Sequence, residues 1–351
     1  MSRIRIRQVG NTGTNVSEIG LGAGPLGNLY EPMRNEIALL LVDAAVKAGI
    51  TYFDTAPFYG FGLSERRVGD GLRDHADIVL SSKVGRLLVP EARVKSDANR
   101  YGFRSAMPFT PVFDYSYDGV LRSYEASLQR LGLARIDILY IHDIGIETHG
   151  SSNSVMWDQL TQGGGLRALQ ELRSEKSIGA FGIGVNEIAA CLQLMEQVRV
   201  DVILLAGRYT LLEQDPIDAL LPACAAAGTA IVVGAPYNSG ILVTGTRSGR
   251  VPHYNYVPAP PEVITLVGKI ENVCERHSVS LPAAALQFPL AHPQVCSVVA
   301  GMANVTQLNA TLRNYNANIP ADFWAELKAE GLMRADAIVP GHQTTPNEAI
   351  T

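Results

Sequence analysis

Eight short apolar runs recur along the chain, separated by longer stretches with helical periodicity, and this alternation constrains the fold more than any other feature. The runs fall at Glu18–Leu21, Tyr52–Asp54, Ile78–Ser82, Ile136–Ile141, Ala180–Val185, Val202–Leu205, Ala230–Gly234 and Ser297–Ala300. Helical patterns are expected over Asn35–Ala48, Glu65–Leu72, Tyr117–Leu131, Leu166–Glu175, Glu187–Val198, Pro216–Ala227, Pro261–His277 and Leu281–Ala291. Parallel strands need a crossover between them, so repeated strand–helix units specify a parallel sheet with helices outside it. Gly49, Gly132 and Gly228 follow the last turns of three helices and Pro216 opens a fourth, as helix ends favour. Eight units in 351 residues, with no Pro- or Ser-rich linker, predict an α/β fold of one kind: a (β/α)8 TIM barrel forming a single domain over 1–351. Residues 1–16, with Ile4-Arg-Ile and the Gly10-Asn-Thr-Gly turn, read as an N-terminal β-hairpin, and the polar stretch 340–351 as a loosely packed tail.

Two connections are unusually long, and they follow the third and fourth strands. Val84–Ser116 carries Tyr101, Phe103 and Phe109, while Asp143–Gln159 carries His149 and Trp157. Loops of that length in a compact domain commonly wall a binding site.

Charge and cysteine content narrow the partners. The net charge is −5 with no block of Lys or Arg, which argues against nucleic acid or an anionic membrane and for a small-molecule substrate. A homo-oligomer is compatible with this surface. Met1-Ser-Arg-Ile-Arg-Ile-Arg has no apolar signal-peptide core and no run reaches membrane-spanning length, so a cytoplasmic protein is expected. Cys191, Cys224, Cys274 and Cys296 lie far apart among small apolar residues without a metal-ligand spacing; they read as reduced and buried, with no bound metal.

Four polar residues stand at or just beyond successive strand ends. Asp54 and Tyr59 belong to Phe53-Asp-Thr-Ala-Pro-Phe-Tyr-Gly, Lys83 ends Leu80-Ser-Ser-Lys, and His142 closes Leu139-Tyr-Ile-His before Asp143. A parallel barrel gathers such residues on its C-terminal rim, where barrel active sites lie. A phenol can give or take the proton of a carbonyl–alcohol interconversion, but at its ordinary pKa of about 10 it is a poor base at neutral pH. A neighbouring Lys83 ammonium, held by Asp54, is expected to lower that pKa, and His142 to hydrogen-bond the reacting oxygen. Each residue alone would be unremarkable as a packing or solvated group; together they imply hydride transfer. Gly22-Ala-Gly24-Pro-Leu-Gly27 also fits the G-x-G-x-x-G pattern of a dinucleotide turn. Leu29-Tyr-Glu-Pro32 then delays the helix and Asp43 sits within it, so the run reads as a Gly-rich first barrel loop instead.

With Gly20-Leu-Gly, Ser64-Glu-x-x-Val-Gly69, Gly184-Val-Asn186 and Gly301 added, the pattern resembles the aldo-keto reductase superfamily over nearly the whole chain. The resemblance implies catalytic roles for Asp54, Tyr59, Lys83 and His142 and a bound nicotinamide dinucleotide. Asn186 would meet the carboxamide, Tyr237, Asn238, Ser239 and Gly240 the pyrophosphate, and Gly22 and Gly301 would let the cofactor approach the backbone. Many relatives carry a Gln after the sixth strand and a ring-stacking Tyr at the seventh. This chain has Leu205-Ala-Gly-Arg-Tyr209 and Gly234 there, leaving Tyr209 or Tyr237 to compensate. Arg or Lys commonly follows the last-strand glycine in NADP-preferring relatives. Here Met302, Ala303 and Asn304 follow, so NAD is expected over NADP, with Asn304 and Gln307 near the adenosine.

The contexts His142-Asp-Ile-Gly, Thr148-His-Gly150 and Gly234-Ala-Pro-Tyr-Asn-Ser-Gly-Ile-Leu242 resemble the aldose 1-dehydrogenase branch, which includes L-fucose and D-threo-aldose dehydrogenases and the related pyridoxal 4-dehydrogenase. That likeness implies oxidation of a cyclic hemiacetal to a lactone, with an aldose at C1 first and pyridoxal, giving 4-pyridoxolactone, as the alternative. Phe58, Arg86 and His149 are the candidate substrate contacts; Arg86 and His149 could equally be solvated loop residues. A nucleotide-binding regulatory subunit without turnover is a reading of another class, and the complete tetrad counts against it.

Overall fold

The computed structural model describes residues 3–95 and 97–341, so most of the expected tail, from 342 onward, lies outside the described residues. Eight parallel strands close a barrel in sequence order: β1 (Ile19–Gly22), β2 (Tyr52–Asp54), β3 (Val79–Val84), β4 (Ile138–His142), β5 (Ala180–Val185), β6 (Val202–Ala206), β7 (Ala230–Gly234) and β8 (Val295–Gly301). The helices outside it are α1 (Asn35–Lys47), α2 (Leu63–Leu72), α3 (Tyr117–Leu131), α4 (Gly165–Ser174), α5 (Ile188–Gln197), α6 (Leu220–Ala227), α7 (Pro261–Arg276), α8 (Leu281–Leu290), α9 (Val305–Tyr315) and α10 (Ala321–Ala329). The (β/α)8 architecture is therefore the observed one.

Period-two alternation along each strand divides the apolar residues between two cores. One set fills the barrel interior, with Tyr52, Ile138, Tyr140, Val202, Leu204, Val232 and Cys296; the other packs the outward faces against the helices. The expected hairpin pairs Ile6–Gln8 with Asn15–Ser17 and presses Val9 and Val16 into the interior cluster, plugging the N-terminal end. The hairpin thus closes the end of the barrel opposite the rim that carries the polar strand ends.

Several expectations need revision. The helix expected over Pro216–Ala227 is interrupted: a 3-10 turn spans Asp215–Ile217, and Ala219, at φ −136, separates it from α6. The stretch 84–116 is a folded arm, with Arg86–Pro90 paired antiparallel to Phe109–Phe113 and Asn99–Arg100 to Phe103–Arg104. Most of 143–159 is helical, in short helices at Ile146–His149 and Asn153–Leu160. Two helices after β8 were not anticipated, although Asn304 caps α9 by accepting from the Gln307 N–H at 2.9 Å, a signal the sequence carries. A third long connection, after β7, bears a hairpin of His253–Tyr254 with Val257–Pro258.

One buried ion pair ties the strand carrying Lys83 to its helical shell. Glu65 in α2 is fully buried; it accepts from Ser82 Oγ at 2.8 Å and from Arg130 Nε in α3 at 2.5 Å. Removing it strands both donors. Glu65→Ala is expected to lower stability by about 3 kcal/mol, the size typical of a buried pair losing one partner. Urea denaturation measures this, and a loss below about 1 kcal/mol would show that the tie is dispensable.

Candidate active site

Register brings the polar strand ends together. Asp54 lies opposite Ser81, Lys83 opposite Tyr140, and His142 opposite Gly184. The Lys83 ammonium donates to Asp54 Oδ1 at 2.9 Å, Asp54 Oδ2 at 2.7 Å and the Thr55 carbonyl at 2.8 Å. Both side chains are almost wholly buried, at 2% and 4% exposure, so the ammonium is fully paired where water cannot reach it. Asp54 also accepts from Ser81 Oγ at 2.7 Å, and the chain continues through Tyr52 to Tyr140 at 3.1 and 2.9 Å. Gly184 leaves room for this arrangement: a Cβ there would stand 3.2 Å from Tyr140 Cβ and 3.6 Å from Lys83 Cε.

Tyr59 is delivered by the turn after β2, its ring centroid 4.7 Å from Lys83 Nζ and 6.1 Å from the His142 ring. The Gly-rich first loop has its explanation here. A Cβ on Gly27 would lie 2.5 Å from the Tyr59 carbonyl carbon, so the glycine permits backbone-to-backbone contact beneath the phenol. Above, Phe61 and Phe103 form a small satellite core with Phe58 and Tyr59 packed on it. The folded arm and the catalytic turn are therefore one packing unit.

Electrostatics reverse one expectation. Burial, then the carboxylates of Asp54 and Asp143, push the Tyr59 phenol well above its ordinary range, and only Arg86 opposes them. The Asp54 carboxylate, at hydrogen-bond distance from Lys83, offsets the pull of the ammonium on the phenol. His142 is driven the other way: burial, reinforced by Arg86 and Lys83, holds it well below the usual imidazole value and therefore neutral. Its Nδ1 is buried without a partner, while Nε2 lies 3.4 Å from Asp143 Oδ2.

Asp143 was visible in the sequence only as context for His142, yet it completes a second charged pair, with a buried Arg86 and a partly open carboxylate. Arg86 Nη2 donates to Asp143 Oδ2, and the guanidinium sits 4.1 Å from the Phe58 ring centroid and 5.0 Å from that of Phe113. Phe58 and Arg86 are thus both on the rim beside His142. His149 is a support behind them. Its Nε2 shares a 3.0 Å hydrogen bond with the Tyr115 hydroxyl, which donates to the His142 carbonyl at 2.6 Å, and its ring packs 4.4 Å from Phe113.

The expected cofactor residues divide. Gly22 and Gly301 pair at the ends of β1 and β8, and Asn186 is half-buried just beyond β5. Asn238, Ser239 and Gly240 form a left-handed run at φ 43, 58 and 96 after β7. Asn238 Nδ2 donates to the Gly207 carbonyl at 3.2 Å while its buried Oδ1 has no partner. Ser239 Oγ accepts from the Tyr256 N–H at 2.9 Å, pinning the tip of the hairpin after β7 and keeping its own hydrogen to donate. The Tyr237 ring packs, partly buried, against the core between barrel and helices, with its hydroxyl near Thr311 and Asn314 of α9. Tyr209 does not compensate for the missing ring. It is fully buried against Phe288 of α8, at 5.3 Å between centroids. The side-chain oxygens of Asn304 and Gln307 accept from the Gln307 and Ala303 N–H groups, which leaves their amide nitrogens as donors. An orphaned amide oxygen, a left-handed backbone run and uncharged donors after Gly301 fit a nicotinamide dinucleotide.

The hairpin tip is a feature the sequence reading missed. Asn255 and Tyr256 both have positive φ, the conformation a two-residue hairpin turn needs, and Arg208 donates to Asn255 Oδ1 at 3.0 Å. Tyr256 lies within electrostatic reach of Tyr59, Tyr30 and Asp143, which places the hairpin tip near the mouth.

Two outcomes follow from this geometry. Gly27→Ala must displace the backbone of Tyr59, so turnover should fall at least about tenfold, with a stability loss of about 1–3 kcal/mol as for other overpacked sites; unchanged kinetics would break the link between that glycine and the phenol. With the Tyr59 pKa raised, the phenol is protonated through neutral pH. Oxidation, which needs the phenolate, should therefore gain rate from pH 7 to 10 without a plateau, while carbonyl reduction stays level to about pH 9. The kcat/KM profile at limiting cofactor reads the free protein, and an oxidative plateau below pH 8 would contradict the burial argument.

Comparison with known proteins agrees with this geometry. The family model described as "Aldo/keto reductase family" matches residues 18–330. Pyridoxal 4-dehydrogenase of Microbacterium luteolum is 42% identical, covering 93% of this chain and 97% of the relative. D-threo-aldose 1-dehydrogenase of a Pseudomonas species is 38% identical over 90% and 94%, and L-galactose dehydrogenase of Arabidopsis thaliana 31% over 88% and 87%. Among solved structures, an aldo-keto reductase of Bacillus halodurans in its holo form superposes with a TM-score of 0.72 at 23% identity, covering 97% and 99% of the two chains, and so shares the fold. The chain belongs to the aldo/keto reductase family of oxidoreductases.

Proposed function

We propose that the protein oxidises a cyclic hemiacetal to a lactone with NAD, acting foremost on an aldose at C1. The observation that carries this reading is the Tyr59 phenol set between the buried Lys83–Asp54 pair and a neutral His142, with a second charged pair beside the histidine. NAD supplies the hydride acceptor when bound. Asn186, Asn238, Ser239 and Gly240 would hold its nicotinamide and pyrophosphate ends, Gly22 and Gly301 its path across the rim, and Asn304 and Gln307 its adenosine.

The protein's own residues do the rest. Tyr59, as the phenolate left once its own proton has passed to solvent, takes the proton of the anomeric hydroxyl. Lys83, anchored by Asp54, keeps a positive charge 4.7 Å from that ring while it is ionised. Neutral His142 donates from Nε2, where the neighbouring Asp143 carboxylate favours the proton, and fixes the reacting oxygen. The absence of a basic residue from 301 to 307 supports NAD over NADP.

A second reading, pyridoxal as the hemiacetal, is favoured by the aromatic wall. Phe58 stands edge-on to Phe61 and Phe103 and 5.7 Å from Tyr101, a surroundings suited to a flat ring, and the 42% identical relative is named for that substrate.

L-fucose, L- and D-galactose, D-arabinose and pyridoxal, each with NAD and with NADP at mildly alkaline pH, separate these readings by NADH formation and lactone detection. The expected result is turnover of at least one hemiacetal with kcat/KM at least about tenfold higher for NAD, and loss of about 100-fold or more in Tyr59→Phe with NAD binding retained. Comparable efficiency with NADP would sink the cofactor reading. Tight NAD binding by both proteins with no turnover by either would favour a regulatory subunit.

A further inference from the structure

We propose that Asp143, held by Arg86, binds the hydroxyl on the carbon next to the one oxidised, so that the site selects hemiacetals bearing a neighbouring hydroxyl group. The inference rests on the hemiacetal reading above and names the feature of the substrate that the site measures.

Three observations converge on it. First, Asp143 adopts a left-handed conformation, φ 46, fixed by its N–H donating to the Gly184 carbonyl at 3.0 Å. That conformation is uncommon outside glycine but tolerated by Asp and Asn, and here it brings the carboxylate to 3.4 Å from His142 Nε2. Second, the carboxylate is under-satisfied. Arg86 engages Oδ2, and among the described residues no side chain or backbone donor reaches Oδ1. A carboxylate out of bulk water accepts several hydrogen bonds when its surroundings allow, so a single protein donor leaves capacity for a ligand. Third, the open side is on the site. Arg86 is closed in by Phe58 and Phe113 and is only 7% exposed, whereas 23% of the Asp143 side chain remains open, and its charge acts on Tyr59 and Tyr256 at the mouth.

The spacing matches a diol. Vicinal hydroxyl oxygens are separated by about one hydrogen-bond length, so an oxygen held by His142 Nε2 places its neighbour within reach of Asp143. An ionised acceptor strengthens that contact; burial raises the Asp143 carboxyl, Arg86 and Lys83 oppose the rise, and the guanidinium that holds the carboxylate is itself fixed between two aromatic faces.

The test compares an aldose that the protein oxidises with its 2-deoxy analogue, in the wild type, Asp143→Asn and Arg86→Lys. The wild type should prefer the hydroxylated sugar by about 30-fold or more in kcat/KM, as expected for a hydrogen bond to a charged group. Asp143→Asn, which is nearly isosteric and tolerates the same backbone, should erase at least about tenfold of that preference. The loss should fall mainly on KM for the hydroxylated sugar and exceed whatever loss the variant shows with the deoxy sugar by at least about tenfold. Arg86→Lys, which keeps the charge but loses the planar fork, should move the preference the same way. A parallel loss with both sugars would show a merely structural role and overturn the proposal. Equal use of the two sugars by the wild type would overturn it without any variant, leaving the hemiacetal reading intact. Turnover of no hemiacetal at all would remove both. If pyridoxal alone is oxidised, whose hemiacetal carbon has no hydroxyl on the neighbouring carbon, the proposal is overturned while the hemiacetal reading stands.

Discussion

An ammonium group buried inside a barrel has to be paired on every side, and that requirement organises this rim. Lys83 meets it with both oxygens of Asp54 and the carbonyl of Thr55. Those partners come from the neighbouring strand, so the pair exists only if β2 and β3 keep their register. The pair also needs space, which Gly184 on β5 provides by omitting a side chain beside Lys83 and Tyr140. It needs backing as well: Ser81, Tyr52 and Tyr140 carry the hydrogen-bond chain from Asp54 down into the interior core. A change at any of these positions would be felt at the ammonium, because half-satisfied networks at low dielectric are costly.

The segments above the rim are built on the same pair. Tyr59 reaches Lys83 because the Gly27–Gly60 contact lets two loops touch through their backbones, and Phe61 and Phe103 then clamp the folded arm onto that turn. The arm begins at Arg86, three residues beyond Lys83, so the strand that delivers the ammonium also delivers the guanidinium. Asp143 follows His142 in the same way on β4. Each strand end thus contributes one group to the proposed proton-transfer centre and, one or three residues later, the chain adds a second to a charged pair beside it.

Periodicity was enough to read the barrel, because eight parallel strands buried on both faces leave an unmistakable apolar rhythm, and the four strand-end residues fell out of that rhythm. What it could not carry was direction. Tyr237 and Tyr209 lie in loops where either face was open, and burial against α9 and α8 decided both. Ser239 could be seen as a phosphate contact, but not as the pin for a hairpin 17 residues away, since only tertiary pairing puts Tyr256 over it. Asp143 was overlooked for a different reason. An acidic residue beside a histidine has no distinctive spacing, and its weight comes from a left-handed backbone that no side-chain pattern announces.

The raised phenol and the neutral imidazole have one electrostatic origin. Arg86 and Lys83 both disfavour a charged His142, while Asp54 and Asp143 both disfavour a charged Tyr59. The site therefore rests with its proton on the oxygen and none to spare on the imidazole, poised to give a proton rather than accept one. Oxidation runs against that poise, and the proposed lactone formation would require the phenol to lose its proton to solvent within the assembled complex. A cationic ring close to Tyr59 would lower its pKa, as any positive charge near a phenol does. The same carboxylates that hold the phenol neutral in the free protein would then confine phenolate formation to a site already filled.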